Sequence, residues 1–222
     1  MILAHWHRLK EEQIPFEGIE LVKTAIAFST TAPPPDITIT GIQSGDLILW
    51  IQATDGGANQ WSEEFNTGTG VLDMSGLVDG IAGYFISSGT SFTVSSIQTD
   101  NEATYGAYHY SVWRGVNATT PIDVTAQSNY GSTSSQPNPP SITTQTDNCI
   151  IVTGFMMDDR DSTDANVPTG YTLLNKIFGG AGDPTLYVVY KLKETAGVED
   201  PEFTGATTGD RHHDFIIPLR PA

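Results

Sequence analysis

Tyr105-Gly106-Ala107-Tyr108-His109-Tyr110-Ser111-Val112-Trp113 is the clearest period-two run in the chain. In an extended backbone Tyr108, Tyr110 and Val112 line one face, and Ala107, His109, Ser111 and Trp113 line the other. The aromatic and β-branched content suits a pleated surface. Similar short runs recur on both sides of it: Asp46-Leu47-Ile48-Leu49-Trp50-Ile51, Thr90-Ser91-Phe92-Thr93-Val94, Cys149-Ile150-Ile151-Val152 and Leu186-Tyr187-Val188-Val189-Tyr190. Gly, Asp, Pro or Ser/Thr closes each of them. Many short strands with frequent turn residues specify an all-β chain, an antiparallel two-sheet β-sandwich of jelly-roll or Ig-like order.

Residues 1–18 read as an N-terminal arm, with Trp6, Leu9 and Ile14 available to pack on the body or on a neighbour. Residues 19–222 read as one β-sandwich domain, a size common among all-β domains. The apolarity of Leu47 to Ala53, six residues of seven, implies a strand covered on both faces, or one whose outer face meets a partner. Residues 59–80 are loose in pattern and suit an excursion loop or a short helical turn. Ile81–Ile86 and Ser91–Ile97 are expected to pair as a hairpin. Tyr171–Phe178 and Leu186–Leu192 flank the Gly-rich run 179–183, another hairpin signal. Pro218 and Pro221 place the last strand at an edge. A turn Asp, an apolar run and an acidic tip occur twice, at Asp46 to Asp55 and at Asp147 to Asp158-Asp159, a faint internal echo.

The chain carries 26 Asp and Glu against 10 Lys and Arg, a formal charge of −16. Such an excess repels phosphate backbones and argues against a nucleic-acid partner. No run reaches the roughly 18 apolar residues that span a bilayer, and residues 1–13 lack the apolar core of a signal peptide. Synthesis in a cytoplasm without membrane insertion is the expectation. Cys149, the single cysteine, can make no internal disulfide and is expected to be a buried small hydrophobe.

Candidate chemistry is sparse. Asp158, Asp159, Asp161 and Asp164 cluster the hard oxygens that Ca²⁺ requires. The loop lacks the EF-hand Gly and Glu, and Arg160 partly neutralises it, so solvated turn carboxylates are the plainer reading. Calcium is the one cofactor this composition suggests. His212-His213-Asp214 invites a metal reading, yet neighbouring strand residues face opposite ways, which favours surface or interface histidines. No Gly-x-Ser-x-Gly elbow and no phosphate loop is present, and carboxylate pairs such as Glu63 and Glu64 occur in any acidic protein. The chain therefore reads as a non-enzyme. Trp61, in an irregular polar stretch, is the best candidate for an exposed sugar-stacking ring, whereas Trp50 and Trp113 suit the core.

Four segments carry a family resemblance: Gly45-Asp46-Leu47-Ile48-Leu49; Tyr110-Ser111-Val112-Trp113-Arg114-Gly115-Val116 running into Thr120-Pro121-Ile122-Asp123; Pro140-Ser141-Ile142-Thr143-Thr144 leading to the Cys149 strand; and Gly170-Tyr171-Thr172 with Tyr187 to Lys191 and the ending Leu219-Arg220-Pro221-Ala222. Over residues 36–222 the chain resembles a β-sandwich module that recurs in tail, fibre and other virion proteins of tailed bacteriophages, and in some bacterial surface proteins. The resemblance implies a virion structural protein: a capsid decoration, cement or vertex component. The alternative is a carbohydrate-binding or host-adhesion module of a tail appendage. Implied partners are other capsid or tail proteins, further copies of the chain, and a host glycan.

Overall fold

A computed structural model describes residues 18–29, 37–55, 68–74, 79–94, 105–131, 135–157, 165–178, 184–206 and 211–222. These residues form strands and turns, and no helix among them. The first half holds β1 (Glu20–Ser29), β2 (Ile37–Thr40), β3 (Leu47–Asp55), β4 (Thr69–Met74), β5 (Asp79–Ile86), β6 (Ser91–Val94) and β7 (Tyr105–Arg114). The second holds β8 (Gln127–Gly131), β9 (Ile142–Thr143), β10 (Cys149–Met157), β11 (Thr172–Phe178), β12 (Thr185–Lys193), β13 (Val198–Glu199) and β14 (His212–Leu219). The protein is all-β, built on two antiparallel five-stranded sheets.

The two halves have the same topology. The first sheet runs β1-β7-β3-β5-β4 and the second β8-β14-β10-β12-β11, with β2–β6 and β9–β13 as matching two-stranded ribbons. The pairings nest in each half: β1 with β7, β2 with β6 and β3 with β5, then β8 with β14, β9 with β13 and β10 with β12. Registers correspond as well. Leu47 faces Ile86 and Trp113 across its two ladders, and Ile150 faces Leu192 and Leu219. Each half interrupts one ladder at the equivalent point, between Gly70 and Leu72 and between Leu173 and Asn175. The turn before each central strand takes a left-handed residue, Gly45 at φ 93° and Asn148 at φ 60°. Each donates its N–H across the turn, to Ser87 O at 2.8 Å and to Glu194 O at 3.1 Å. The two strands of the sequence echo, β3 and β10, are thus equivalent, but its turn aspartates are not: register sets Asp46 against Cys149, and Asp158-Asp159 lie outside the described residues.

Both halves turn the same face inward. Leu47, Leu49, Ile51 and Ala53 of β3 share one buried cluster with Ile150, Val152 and Met156 of β10 and with Phe215 and Ile217 of β14. Contact between β1 and β11 is matched by contact between β4 and β8, the mates that exchange of the halves requires. A pseudo-two-fold axis therefore runs between the sheets. Burial of each Leu, Ile or Phe there contributes roughly 2 kcal/mol. The outward faces are buried too: Ile48, Trp50, Tyr108 and Tyr110 form one cluster with Ile39 of β2, and Phe155, Tyr187, Val189 and Phe203 form another. All nine residues of β10 are buried, which explains a run that is apolar but for Thr153, whose hydroxyl donates to the Phe215 carbonyl at 2.6 Å.

Three expectations need correction. Residues 69–74 are a strand, hidden from period-two reading by the bulge at Val71. β5 and β6 do not pair; β5 joins β3 and β4, while β6 joins β2. The last strand is interior, between β10 and β8. Pro218 is tolerated because its carbonyl accepts the Asp123 N–H at 2.9 Å, so the side of its missing N–H points away from β10 and past the end of β8.

Candidate functional site

The acidic residues Asp158, Asp159, Asp161 and Asp164 lie outside the described residues, as do Trp61 and the arm residues Trp6, Leu9 and Ile14. Among the described residues no group of three His, Cys, Asp or Glu is placed to hold a metal ion. Trp50 and Trp113 are both buried, Trp113 edge-on to Tyr190 with ring centroids 5.4 Å apart. Cys149 is fully buried, and burial first, then the neighbouring Asp123 carboxylate, pushes its thiol up to about 12.

A cleft of about 380 Å³ opens on the outer side of the second sheet, walled by Thr169, Tyr171, Lys191, Asp200, Glu202 and Thr204. Its floor is Glu199, only 6% exposed. Glu199 Oε1 accepts from the Tyr171 hydroxyl at 3.0 Å and from Lys191 Nζ at 2.8 Å, and Oε2 lies 3.3 Å from Lys193 Nζ. Burial works against the charged carboxylate, but the hydrogen bonds from Lys191, Tyr171 and Lys193 prevail and hold it below the usual range. The Tyr171 hydroxyl is pushed upward by burial and then by Glu199. Lys191 Nζ also sits 5.4 Å from the centre of the Tyr171 ring.

The duplication supplies an internal control. By register, Lys191 corresponds to Phe85, Glu199 to Phe92 and Tyr171 to Gly68. In the first half Phe85 packs on Phe92 with centroids 4.7 Å apart, and a Cβ at Gly68 would fall 2.4 Å from the Phe85 ring. The common fold therefore needs only an apolar latch at this spot. The second half carries buried charge and an adjoining cleft there instead.

His212 and His213 face opposite ways, as alternation requires, but both are buried rather than at the surface. His213 packs edge-on against Tyr130 and is lowered by burial, with His212 adding to the effect. His212 Nδ1 lies 2.8 Å from Asp214 Oδ1, and its Nε2 lies 3.1 Å from Ser135 Oγ. Asp214 Oδ2 accepts the Asn138 N–H at 2.8 Å. Burial raises the Asp214 carboxyl against the opposing pull of His212 and Asn138. The ring of His212 occupies space over Gly131, where a Cβ would fall 1.8 Å from it.

His109 is fully buried between the sheets, beside Asn175, which meets its Nδ1. Desolvation lowers it to about 3, so it is neutral. Sequence reading did not single out Ser135, Asn138, Tyr171, Lys191 or Glu199 as a set, because each site draws on segments far apart in the chain. Aligning the halves on the turns before Leu47 and Ile150 sets Phe85 against Val188; only the ladder registers, which take up three more residues in the second half, set it against Lys191. No protein-family model, curated protein or solved structure matches this chain.

Proposed function

We propose that this chain is a structural protein of a tailed-phage virion, made in the host cytoplasm, that works as a recognition module for carbohydrate on the host surface. Each half is a reduced jelly roll, a reading supported by the nested pairings that a rolled-up hairpin leaves. The observation that carries the functional reading is the cleft over Glu199. Its volume of about 380 Å³ falls in the range of small-ligand sites. It offers hydroxyl, ammonium and carboxylate groups at one face of a half-buried tyrosine, the mixture of donors, acceptors and ring surface that sugars use. Charge installed where the sister half has only packed phenylalanines is not required by the fold. Fold alone carries no function, so weight rests on that local difference.

A glycan array probed with the full chain tests this. Binding to a defined glycan class, weakened at least tenfold by Tyr171→Ala or Lys191→Ala, is the expected result. An array blank for the wild-type chain, with and without Ca²⁺, rejects the carbohydrate reading.

A capsid decoration, cement or vertex role is the second reading. It is favoured by the adjoining edge strands β1 and β11, which expose Ile26 at 54% and Leu173 at 44%. Edge strands with exposed apolar side chains suit docking onto other virion proteins or a second copy of the chain. Cryo-electron microscopy of the intact particle separates the two: density on the capsid lattice supports decoration, and density at the tail supports adhesion.

A further inference from the structure

We infer that Ser135, His212 and Asp214 form a nucleophilic relay that cleaves carboxylic esters. The inference is independent of the cleft over Glu199 and shares no residue with it. Three geometric facts carry it. Ser135 Oγ lies 3.1 Å from His212 Nε2, within reach for a nucleophile and its base. His212 Nδ1 lies 2.8 Å from Asp214 Oδ1, the contact that fixes the imidazole tautomer. Asp214 is itself held by the Asn138 N–H at 2.8 Å. With Nδ1–H donated to the carboxylate, Nε2 is left as the acceptor for the Ser135 hydroxyl. His212 and Asp214 are each 1% exposed, whereas Ser135 is half-buried, so the nucleophile is the member that reaches solvent.

The first half provides the contrast. The positions of His212 and Asp214 there are Gly106 and Tyr108, so the relay is no part of the shared fold. Gly131 leaves room for the imidazole, which any side chain at that position would displace.

The chemistry balances without a cofactor. Ser135 Oγ adds to the ester carbonyl carbon as its proton passes to His212 Nε2. Collapse breaks the C–O bond to the leaving group, which takes that proton and departs as the alcohol. Water then adds to the acyl-serine, giving a proton to Nε2. A second collapse releases the carboxylic acid and returns that proton to Ser135.

The full chain is treated with a fluorophosphonate and the modified residue is identified by mass spectrometry. One adduct on Ser135, absent in Ser135→Ala, is expected. Asp214→Asn, which removes a positioning residue, should slow labelling by about 10⁴-fold, the loss that a wrong tautomer causes. With p-nitrophenyl acetate the same variant should lower kcat and leave KM unchanged. Thermal melts establish that both variants fold; if either does not, the wild-type adduct decides alone. No adduct on wild-type Ser135, under conditions that fully label a serine-protease control, overturns the inference. Equal labelling of wild type and a folded Asp214→Asn overturns it as well. Glycan binding is read separately, so its failure leaves this result untouched.

Discussion

At Gly154, in the middle of β10, a Cβ would fall 1.9 Å from the Tyr187 carbonyl oxygen and 2.8 Å from the Phe215 ring. The nearer atom is backbone in the paired strand and cannot rotate away. Gly154→Ala should therefore cost about 3 kcal/mol or more, measured as a shift in the urea midpoint at unchanged slope. A second residue-scale device is repeated with a twist. Arg114 and Arg220 occupy equivalent positions, yet Arg114 bonds Asp46 through two nitrogens, both at 2.9 Å, while Arg220 Nε reaches Asp123 at 3.1 Å. The counterpart of Asp46 is Cys149, so the second half supplies its carboxylate from a different segment. Asp123 also accepts the Gln145 N–H at 2.6 Å. Burial opposes its charge, but the bonds from Thr146, Gln145 and Arg220 prevail and lower it. Arg220→Ala takes the guanidinium from that buried carboxylate, leaves it only the Gln145 and Thr146 bonds named above, and should destabilise the fold by about 2 kcal/mol. Arg220→Lys, a point charge without the guanidinium fork, should recover only part of it.

Element by element, what could be read from sequence depended on how local its cause was. Leu47 to Ala53 and Tyr105 to Trp113 were legible because burial on both faces, or clean alternation, is written in consecutive residues. β4 was not, since the bulge at Val71 shifts the period in mid-strand. Sequence alone puts β14 at an edge, because it shows that Pro218 lacks an N–H but not which way that N–H would point. The candidate sites were least legible. Glu199 gains its meaning from Tyr171, Lys191 and Lys193, delivered by the approach to β11 and by β12, and nothing in the local pattern of Val198-Glu199 marks it. The same geometry makes the ionic latch testable. Glu199→Gln leaves two lysines facing a neutral amide, and should cost about 2 kcal/mol. The loss should shrink in a Lys191→Met background, because the coupling of that pair is already gone; a double-mutant cycle on melting data measures it. Additive effects would show that the latch contributes no more than its separate parts.

For the whole molecule, the pseudo-two-fold stack places its titratable groups where acid acts mainly in one direction. His109, between the sheets, is lowered from 6.5 to about 3 by burial, and His213 is lowered as well. Between those limits the unfolded chain binds a proton at position 109 that the folded chain refuses. Stability therefore falls with pH across that window, by about 1.4 kcal/mol per unit for one histidine and more where His213 adds to it. Asp123 and Glu199 have lowered folded values, so their contributions persist until pH drops below the ordinary carboxylate range. Asp214 works in the opposite sense. Its raised carboxyl takes up a proton in the folded chain first, which offsets part of the loss just above pH 3.8. Acid sensitivity should thus begin near pH 6.5, well before the carboxylates titrate, in a chain whose composition of 26 acidic residues suggests the reverse. Urea denaturation between pH 8 and pH 4.5 should show a plateau above pH 7 and a decline below it. His109→Gln, which keeps a polar group beside Asn175 but cannot take up a proton, should flatten that decline to the share left by His213. An unchanged slope in a folded His109→Gln would mean that His109 takes up its proton as readily in the folded chain as in the unfolded one, and that the space between the sheets admits water.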